Sequence, residues 1–414
     1  MLGSGSQGEV YSIAMAEKEV ALKWYYPHVA TEEQNSALKK LITKGAPDSR
    51  YLWPFDLTSS DKLKSFGYLM PLRDKRFVGI TRWYSRKVEA TFKSLTTACF
   101  QLAESFYELH ANGWCYKDIS FGNIFFDPAS GDALICDCDN IRPPGETNNI
   151  LGTPKYMAPE IIAGKSRPST LTDLYSLATL FFYIMMLSHP LDGKREAEID
   201  CLDMQAMGRL YGTDPVFIYD PENKSNRPLP GYHDNAIQLW PIYPTFLRDL
   251  FISAFTIGLK EPHKRVGETE WKAAMARLRD LIVYCPKCGR ENFFDDRTST
   301  EHRGENSSCW QCHAEIHYPF RVKVNKRTVM LNRDTKLFPH HTDADKRYDF
   351  SSPTAEVTRN PHDTRIWGLT NLSTVPWSAV TPDGDAKEVK TGRSIKISPG
   401  LTINFGNLSG QIVY

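Results

Sequence analysis

Three polar side chains follow one another at short intervals near the middle of the chain. Asp118 and Asn123 are five residues apart, and Asp137 directly follows the apolar run 134–136. Carboxylate and amide oxygens are the ligands that Mg²⁺ prefers, together with phosphate oxygens. If folding brings the three into one cleft, Asn123 and Asp137 can hold the metal while Asp118 accepts a proton from an attacking hydroxyl. This order of residues therefore predicts a site for metal-assisted phosphoryl transfer.

A glycine pattern near the N-terminus adds a candidate phosphate-binding loop. Gly3, Gly5 and Gly8 form a GxGxxG, which alone is equally compatible with a flexible turn. The segment 20–23 (VALK) supplies a strand that ends in Lys23, where an ammonium group can reach the α and β phosphates of a nucleotide. A dinucleotide-binding fold would place a helix directly after the glycines, whereas 9–13 has the pattern of a strand. The pattern favours a loop between two strands.

A second constellation lies further along the chain and consists of cysteines. Two CxxC pairs are separated by 20 residues and comprise Cys285, Cys288, Cys309 and Cys312. This spacing is typical of a zinc ribbon, in which four thiolates close a tetrahedron around a structural Zn²⁺. His302 or His313 could replace a ligand, and redox dithiols or free core cysteines remain the alternative interpretations. A closed four-cysteine site leaves no position for water, so catalysis at this metal is not expected.

Composition limits the classes of protein to consider. The chain has 414 residues, 41% of them hydrophobic, and 50 Lys and Arg against 49 Asp and Glu give a net charge of +1. Two or three folded domains are expected, without the basic excess of a polyanion-binding protein. The longest apolar run, 177–187, is too short for the ~20 residues that cross a bilayer and predicts a buried helix. No signal peptide is visible, which predicts a cytoplasmic protein without a membrane partner.

Hydrophobic periodicity predicts the elements that must position these residues. Residues 1–72 are rich in strand patterns and contain one helix over 31–43, which indicates a small β-rich lobe. Helical periodicity dominates 73–284, with helices expected over 91–109, 172–188, 243–259 and 268–283. The last of these runs directly into Cys285. Alternating β-branched segments after residue 320 predict a small all-β module.

Taken in order, the motifs resemble those of eukaryotic-like protein kinases. The segments are LGSGSQGEVY, VALK, YKDISFGN, LICDCDN, GTPKYMAPE, DLYSL and EPHKRV. The resemblance covers residues 1–284 and implies an α+β, bilobal kinase fold with an N-lobe over 1–72 and a C-lobe over 73–284. It also implies ATP and Mg²⁺ as cofactors and a protein as substrate.

The resemblance carries specific roles onto matching positions. Lys23 should contact phosphates, Asp118 should be the catalytic base, and Asn123 and Asp137 should hold Mg²⁺. The nucleotide should further contact Gly3, Gly5, Gly8, Val10, Ala21, Met70 and Leu72. Glu160 should form a buried pair with Arg265. Thr153 matches a threonine that is typical of kinases specific for serine and threonine.

Four departures from the family pattern affect these expectations. Tyr116-Lys117 replaces the His-Arg before the catalytic base, and Ser120 replaces a lysine near the γ-phosphate. Asp137-Cys138-Asp139 keeps the metal ligand but loses a conformationally permissive glycine. The helix-borne glutamate that should pair with Lys23 is ambiguous among Glu32, Glu33 and Gln34, and we favour Glu33. Thr147 could be phosphorylated, although the missing arginine favours an unmodified surface threonine.

The C-terminal region suggests a further module and possible partners. Residues 320–414, with Asn371, Trp377 and the segment GRSIKISPGLTINFG, resemble the later strands of a forkhead-associated (FHA) β-sandwich, following the zinc ribbon of 285–319. The upstream Gly-Arg and Ser-x-x-His of FHA domains are missing, so phosphothreonine binding is not implied. The whole layout is similar to the kinase of bacterial tellurite-resistance-associated phosphorylation triads. That resemblance implies a von Willebrand factor A-type substrate and an antagonistic PP2C-type phosphatase.

Two other classes of function remain open at this point. The altered catalytic loop is compatible with a pseudokinase scaffold that binds a nucleotide without transferring phosphate. The zinc ribbon, with its arginine and aromatic residues, is compatible with a nucleic-acid-binding protein. Acidic residues are interleaved with those arginines and the net charge is near zero, so nucleic acid is the less favoured partner.

Overall fold

The computed structural model describes residues 1–15, 18–146, 151–295 and 307–414. The chain forms two compact units. The first comprises Met1–Pro241 and Phe246–Ala273, and the second comprises Ile242–Thr245 and Ala274–Tyr414. The division into kinase domain, zinc ribbon and sandwich at residues 284 and 319 remains a prediction.

The first unit begins with a five-stranded antiparallel sheet in the order β1-β2-β3-β5-β4. Its strands are β1 (Gly3–Ser4), β2 (Gly8–Met15), β3 (Lys18–Tyr25), β4 (Asp56–Ser60) and β5 (Ser65–Pro71). Helix α1 (Glu32–Lys44) starts at Thr31, whose side chain accepts a hydrogen bond from the main-chain N–H of Gln34. The apolar face of α1 buries Ala37, Leu38 and Leu41. The predicted β-rich lobe with one helix is therefore present.

Helices dominate the rest of the first unit. They are α2 (Ile80–Tyr84), α3 (Phe92–Ala111), α4 (Pro159–Ile162), α5 (Thr170–Met186), α6 (Lys194–Ala197), α7 (Met204–Met207), α8 (Asp234–Leu239), α9 (Thr245–Phe255), α10 (Ile257–Lys260) and α11 (Glu268–Asp280). A small sheet of β6 (Val78–Gly79), β7 (Ile124–Phe126) and β8 (Ala133–Ile135) lies among them. Helix α5 is buried along nearly its whole length, as the apolar run 177–187 predicted. Among the described residues, no helix has the length and apolar character needed to cross a membrane.

Two helix predictions are corrected by the structure. The helix expected over 243–259 is broken at Thr256, whose non-helical backbone angles (φ −123°, ψ −77°) separate α9 from α10. The helix expected over 268–283 ends at Asp280, and β9 (Ile282–Tyr284) follows it. The β-branched residues Ile282 and Val283 pair with a strand further along the chain, and this pairing overrides the helical pattern. A strand therefore leads into Cys285.

The second unit consists of short hairpins followed by a β-sandwich. The hairpins are β9 with β10 (Glu291–Phe293), and β11 (Ser307–Ser308) with β12 (Glu315–Ile316). The remaining elements are β13 (Arg321–Val324), β14 (Arg327–Met330), β15 (Lys336–Leu337), α12 (Pro339–Thr342), β16 (Ala355–Arg359), β17 (Trp367–Asn371), β18 (Trp377–Val380), β19 (Ala386–Val389), β20 (Ser394–Lys396), β21 (Thr402–Asn404) and β22 (Ser409–Val413). They form a six-stranded and a four-stranded sheet with one shared apolar core that includes Trp377 and Leu369. The expected all-β module is present.

Candidate active site

The loop that carries Asp118 is anchored by a side chain of helix α5. Asp173, whose side chain is 1% exposed, accepts hydrogen bonds from the main-chain N–H groups of Tyr116 at 2.6 Å and Lys117 at 3.0 Å. A buried carboxylate with charge-assisted bonds to two consecutive N–H groups holds the loop in one conformation. Lys117 adopts a left-handed backbone conformation with φ of 72°. The anchor therefore sets the position of the next residue, Asp118.

His110 at the end of α3 extends this anchor. Its Nε2 lies 3.1 Å from Asp173, and its Nδ1 contacts the carboxylate of Glu268 at the start of α11. Burial alone would lower the pKa of His110, but hydrogen bonds to both carboxylates outweigh burial and raise the pKa to about 9. The imidazole is therefore charged at neutral pH and links three segments of the first unit.

This network predicts a pH-dependent stability. The pKa of about 9 lies above the ordinary value of 6.5, so the contribution of charged His110 is complete below about pH 6.5 and is lost as pH rises through 9. We expect the melting temperature to fall between pH 6.5 and 9.5 more steeply in the native protein than in His110→Gln. The exposed His263 offers a matched control, since His263→Gln should keep the native slope. Identical slopes in all three proteins would contradict the prediction.

Asp118 lies in a set of hydrogen bonds that orient its carboxylate. The hydroxyl of Thr153 donates to Oδ1 at 2.7 Å, as its family position led us to expect. The amide nitrogen of Asn123 donates to Oδ2 at 3.2 Å and to the main-chain carbonyl of Asp118 at 2.9 Å. Asp118 is partly exposed, so its carboxylate remains accessible to a substrate hydroxyl. The geometry suits a general base.

Asn123 and Asp137 lie at the same edge of the small sheet, where β7 begins and β8 ends. Asn123 precedes β7 and Asp137 lies two residues beyond β8, and the main-chain N–H of Cys136 donates to the carbonyl of Asn123 at 2.9 Å. The amide nitrogen of Asn123 is used by Asp118, so the amide oxygen is the atom of this side chain that can bind a cation. Asp137 has left-handed backbone angles, with φ of 57° and ψ of 43°, and its side chain is 29% exposed. An amide oxygen and an accessible carboxylate fit the ligand preference of Mg²⁺.

Lys23 joins β3 to this group of residues. Its Nζ lies 2.6 Å from Oδ1 of Asp137 and 2.8 Å from Oδ2 of Asp139. The glutamate that we favoured as its partner, Glu33, is exposed on α1, and among the described residues no ion pair joins the two. This prediction is corrected, because a buried aspartate already occupies the position next to the ammonium group. Lys23 nevertheless contacts Asp137, and Asn123 contacts Asp118. The main-chain bond from Cys136 to Asn123 holds these two pairs side by side.

The glycine loop approaches the same cleft. A Cβ on Gly8 would lie 2.1 Å from the carbonyl oxygen of Trp24, so β2 can pass this close to β3 only with glycine at this position. Gly3 and Gly5 have open space around them. The amide oxygen of Gln7, at the tip of the loop, lies 3.0 Å from Nζ of Lys23. The loop therefore covers the lysine side of the cleft.

The remaining residues expected to contact the nucleotide line up across neighbouring strands. Val10 pairs in register with Lys23, and Ala21 pairs with Met70. Leu72 follows directly after β5 and is partly buried. These positions lie beside Lys23 on one sheet, which is compatible with the predicted role, although contact with a nucleotide remains a prediction.

Lys117 stands where the family pattern has the arginine before the catalytic base. Its Nζ donates to the main-chain carbonyl of Glu146 at 2.7 Å, which directs the charge toward the segment before Thr147. Thr147 itself lies outside the described residues, so its predicted surface position stays a prediction.

A bidentate ion pair stabilises the helical part of the unit. Arg265, with its side chain 2% exposed, donates to the two carboxylate oxygens of Glu160 at 2.8 and 2.7 Å. The same guanidinium also donates to the carbonyls of Gly258 and Leu171. The predicted pair is present, and these partners account for four of the five guanidinium N–H groups.

The four predicted cysteine ligands come together in the second unit. Their sulfur atoms all lie within 4.8 Å of one another, with 3.5 Å between Cys285 and Cys312 and 3.7 Å between Cys288 and Cys309. A tetrahedron with metal–sulfur bonds of about 2.3 Å has edges of about 3.8 Å, so the arrangement fits Zn²⁺. Gly289 and His313 follow the second cysteine of each pair with positive φ, which gives two turns of the same form. His313 is not part of the sulfur cluster, and His302 lies outside the described residues.

A second group of possible metal ligands in this unit has a different explanation. Asp280, His340 and His341 lie close together. Nδ1 of His340 accepts from the N–H of Tyr348, and Nδ1 of His341 accepts from the N–H of Phe338, both at 2.9 Å. Each neutral ring therefore carries its proton on Nε2, and that of His341 is directed at Asp280, 3.1 Å away. Neither ring then has a nitrogen lone pair left for a metal, so the group is a structural hydrogen-bond network.

Sequence reasoning missed several residues of the site. Asp139 was noticed only as the loss of a glycine, although an acidic residue two positions after a metal ligand could have indicated a partner for Lys23. Asp173 was quoted within the segment DLYSL but was given no role. His110 gave no signal, because nothing in the spacing shows that the ends of two helices meet. Gln7 was regarded only as a loop position between glycines.

Comparisons with known proteins agree with this geometry. The family model described as "Protein kinase domain" matches residues 1–240. Among curated proteins, a probable serine/threonine-protein kinase, gdt4, of Dictyostelium discoideum is 27% identical over 44% of this chain and 11% of its own length. Protein kinase gsk3 of Schizosaccharomyces pombe is 25% identical over 46% of this chain and 51% of its own length.

A bacterial relative is similar over the same region. The DNA damage-responsive serine/threonine-protein kinase RqkA of Deinococcus radiodurans is 24% identical over 48% of this chain and 31% of its own length. The matches to these three relatives span between about a tenth and about half of the relatives' own lengths.

Proposed function

Because the chain belongs to the protein kinase family, whose domain model matches residues 1–240, we propose that it transfers the γ-phosphoryl group of ATP to a serine or threonine of a protein. The observation that carries this proposal is the pair of contacts Lys23–Asp137 and Asn123–Asp118, held side by side by the main-chain bond from Cys136 to Asn123. The hydroxyl oxygen of the substrate forms the new bond to the γ-phosphorus while the bond to the leaving ADP breaks. Asp118 takes the proton of that hydroxyl.

The surroundings of Asp118 support its role as the base. Thr153 and Asn123 each donate to one of its carboxylate oxygens, which holds the side chain in one orientation while leaving it partly exposed. Thr153 stands where kinases specific for serine and threonine carry a threonine, and this supports the proposed acceptor class. Positioning of this kind contributes to catalysis because the reacting groups need no further ordering.

Lys23 and the two proposed metal ligands would handle the phosphates. Mg²⁺ held by Asn123 and Asp137 would neutralise charge on the phosphate oxygens. The buried ammonium of Lys23 would bind the α and β phosphates, and Gln7 would leave its hydrogen bond with Lys23 to admit them. Ser120 supplies no charge near the γ-phosphate, so we expect a modest rate.

The test is transfer of label from γ-labelled ATP, with the intact mass measured before and after incubation. We expect the mass to increase in steps of one phosphate on the protein itself or on an added partner, and only with Mg²⁺ present. A protein that binds ATP but shows no transfer to itself or to candidate partners would support the pseudokinase alternative instead.

We also propose that the four cysteines hold one structural Zn²⁺. Support comes from the sulfur distances and from the main-chain N–H of Cys288, which points at the sulfur of Cys285 at 3.5 Å. The side-chain amide of Asn292 points at the sulfur of Cys309 at 3.6 Å. Donors of this kind stabilise metal-bound thiolates.

Replacing Cys285 and Cys309 by serine should remove zinc and unfold the two cysteine hairpins, because a segment this polar cannot stay folded without its metal. We expect about one zinc per native chain by elemental analysis and less than about a tenth of that in the double variant. Cys201 is exposed and distant from the cluster in sequence, so Cys201→Ser should retain the full zinc content. Undiminished zinc in the double variant would refute the ligand set.

For the C-terminal sandwich we propose recruitment of a protein partner, as the FHA-like resemblance implies. Both amide hydrogens of the buried Asn371 are used by the carbonyls of Val375 and Val389, and its oxygen accepts from Ser373. This residue holds a loop and cannot also read a phosphopeptide. The resemblance still implies a von Willebrand factor A-type substrate and a PP2C-type antagonist, and transfer of label to such a substrate followed by its removal would test both.

A further inference from the structure

We infer that Asp139, and no carboxylate of helix α1, is the residue that positions Lys23 for binding phosphates. The inference rests on the proposed function and names a residue whose role neither the family model nor the relatives assign. Both carboxylate oxygens of Asp139 lie within hydrogen-bond distance of Nζ of Lys23, at 3.0 and 2.8 Å. The ammonium side chain is 8% exposed and the carboxylate 0%, so water does not compete for this contact.

The environment of Asp139 keeps its carboxylate in place. The hydroxyl of Tyr25, two residues after Lys23 on β3, donates to one of its oxygens. Its main-chain carbonyl accepts from Nη1 of Arg142 at 2.7 Å and from the side-chain amide of Gln34 at 3.1 Å. A carboxylate fixed through both side chain and main chain can hold the ammonium group in a constant direction.

Helix α1 offers no acidic alternative. Glu32 and Glu33 are exposed, and the residue of α1 that reaches the site is Gln34. Its side-chain nitrogen donates to the hydroxyl of Tyr25 at 3.0 Å. That hydroxyl lies between the amide of Gln34 and the carboxylate of Asp139, to which it donates. An amide carries no charge, so it cannot neutralise the buried lysine.

The two aspartates beside Lys23 therefore have different roles. Asp137 is 29% exposed and faces the cleft, where it is available to a metal. Asp139 is fully buried behind it and cannot reach the cleft. When Asp137 coordinates a metal, Asp139 remains as the partner that keeps Lys23 directed toward the phosphates. Asp139 is thus a positioning residue that acts through Lys23.

The test is a double-mutant cycle on nucleotide affinity. Asp139→Asn keeps the shape of the side chain but removes its charge, and Lys23→Met removes the group it is inferred to position. We expect each single variant to weaken binding of a fluorescent ATP analogue with Mg²⁺ by about 10-fold or more, and the double variant to be within about 2-fold of Lys23→Met. Two results would overturn the inference. One is native affinity in Asp139→Asn, and the other is a double variant whose fold-loss of affinity equals the product of the two single fold-losses.

A rescue experiment separates positioning from folding. Asp139→Gly removes the carboxylate entirely. Adding Gln34→Glu places a new carboxylate on α1, next to the hydroxyl of Tyr25 that bonds Asp139 in the native protein. We expect Gln34→Glu to restore at least about a third of the affinity and of kcat/KM lost in Asp139→Gly. If Asp139→Asn fails to fold, this pair still decides the question. Failure of rescue with folded protein, judged by melting temperature, would count against the inference.

The readouts also separate this inference from the proposed function. Nucleotide affinity is measured without phosphoryl transfer, so a protein that binds ATP and transfers nothing would refute the proposed reaction and leave the cycle interpretable. Asp61→Asn, an exposed aspartate in the turn between β4 and β5, serves as the control and should match the native affinity.

Discussion

Replacing Asp118 by asparagine is expected to lower the rate of phosphoryl transfer by about 10²- to 10⁴-fold, the range typical of a lost general base. The amide keeps the size of the side chain and can still meet Thr153 and Asn123, but it cannot accept the proton of the attacking hydroxyl. Affinity for ATP should remain within about 3-fold of the native protein, since Lys23 and Asp137 are unchanged. Initial rates with labelled ATP and a fluorescent nucleotide titration measure the two quantities.

Two further variants make this result specific. Asp61→Asn makes the same chemical change on an exposed turn and should transfer phosphate at the native rate. Thr153→Ala removes one hydrogen bond to Asp118 and should cause a smaller loss than Asp118→Asn. Equal rates in native protein and Asp118→Asn would mean that Asp118 is not the base.

The second large effect concerns stability. Glu160→Ala should lower the free energy of unfolding by about 3 to 5 kcal/mol, because it leaves the buried charge of Arg265 without its carboxylate. The two bonds of 2.8 and 2.7 Å and the 2% exposure of the arginine side chain place this pair among buried ones. Urea denaturation monitored by tryptophan fluorescence measures the change in the free energy of unfolding.

The reference for this measurement is an exposed pair nearby in sequence. Lys264 and Glu261 lie 2.7 Å apart with side chains 47% and 40% exposed, so Glu261→Ala should leave stability unchanged within error. Removing both partners, in Glu160→Leu with Arg265→Met, should recover part of the lost stability because no charge is then left unpaired. A loss in Glu160→Ala no larger than in Glu261→Ala would contradict the prediction.

Much of the site was accessible from sequence because its parts are local motifs. Asp118 and Asn123 are held by one loop, and Asp137 ends a short strand, so their spacing alone carries information about the cleft. Lys23 could be added because the segment VALK has the pattern of a strand, although β3 continues past Lys23 to Tyr25. The four cysteines were equally accessible, since each CxxC turn fixes two ligands.

What sequence could not supply depends on contacts between distant segments. The partner of Lys23 was sought on α1, where only a favoured glutamate could be named, and the buried position of Asp139 follows from the left-handed turn at Asp137 and from the packing of Tyr25. The strand β9 was read as helix because its pairing with β10 is invisible in the local pattern. The break at Thr256 likewise lies inside an apolar run that continues on both sides.

The proposed metal ligand Asp137 and the inferred partner of Lys23, Asp139, lie on one short turn, and this affects how such an enzyme could be switched off. A signal that displaced α1 would withdraw only the neutral amide of Gln34 and would leave the electrostatics of the nucleotide cleft intact. An allosteric effector would have to distort the main chain over 137–142, where the side chains of Gln34 and Arg142 both donate to the carbonyl of Asp139. Compounds that inhibit kinases by binding a state with this helix displaced should therefore inhibit this protein only weakly.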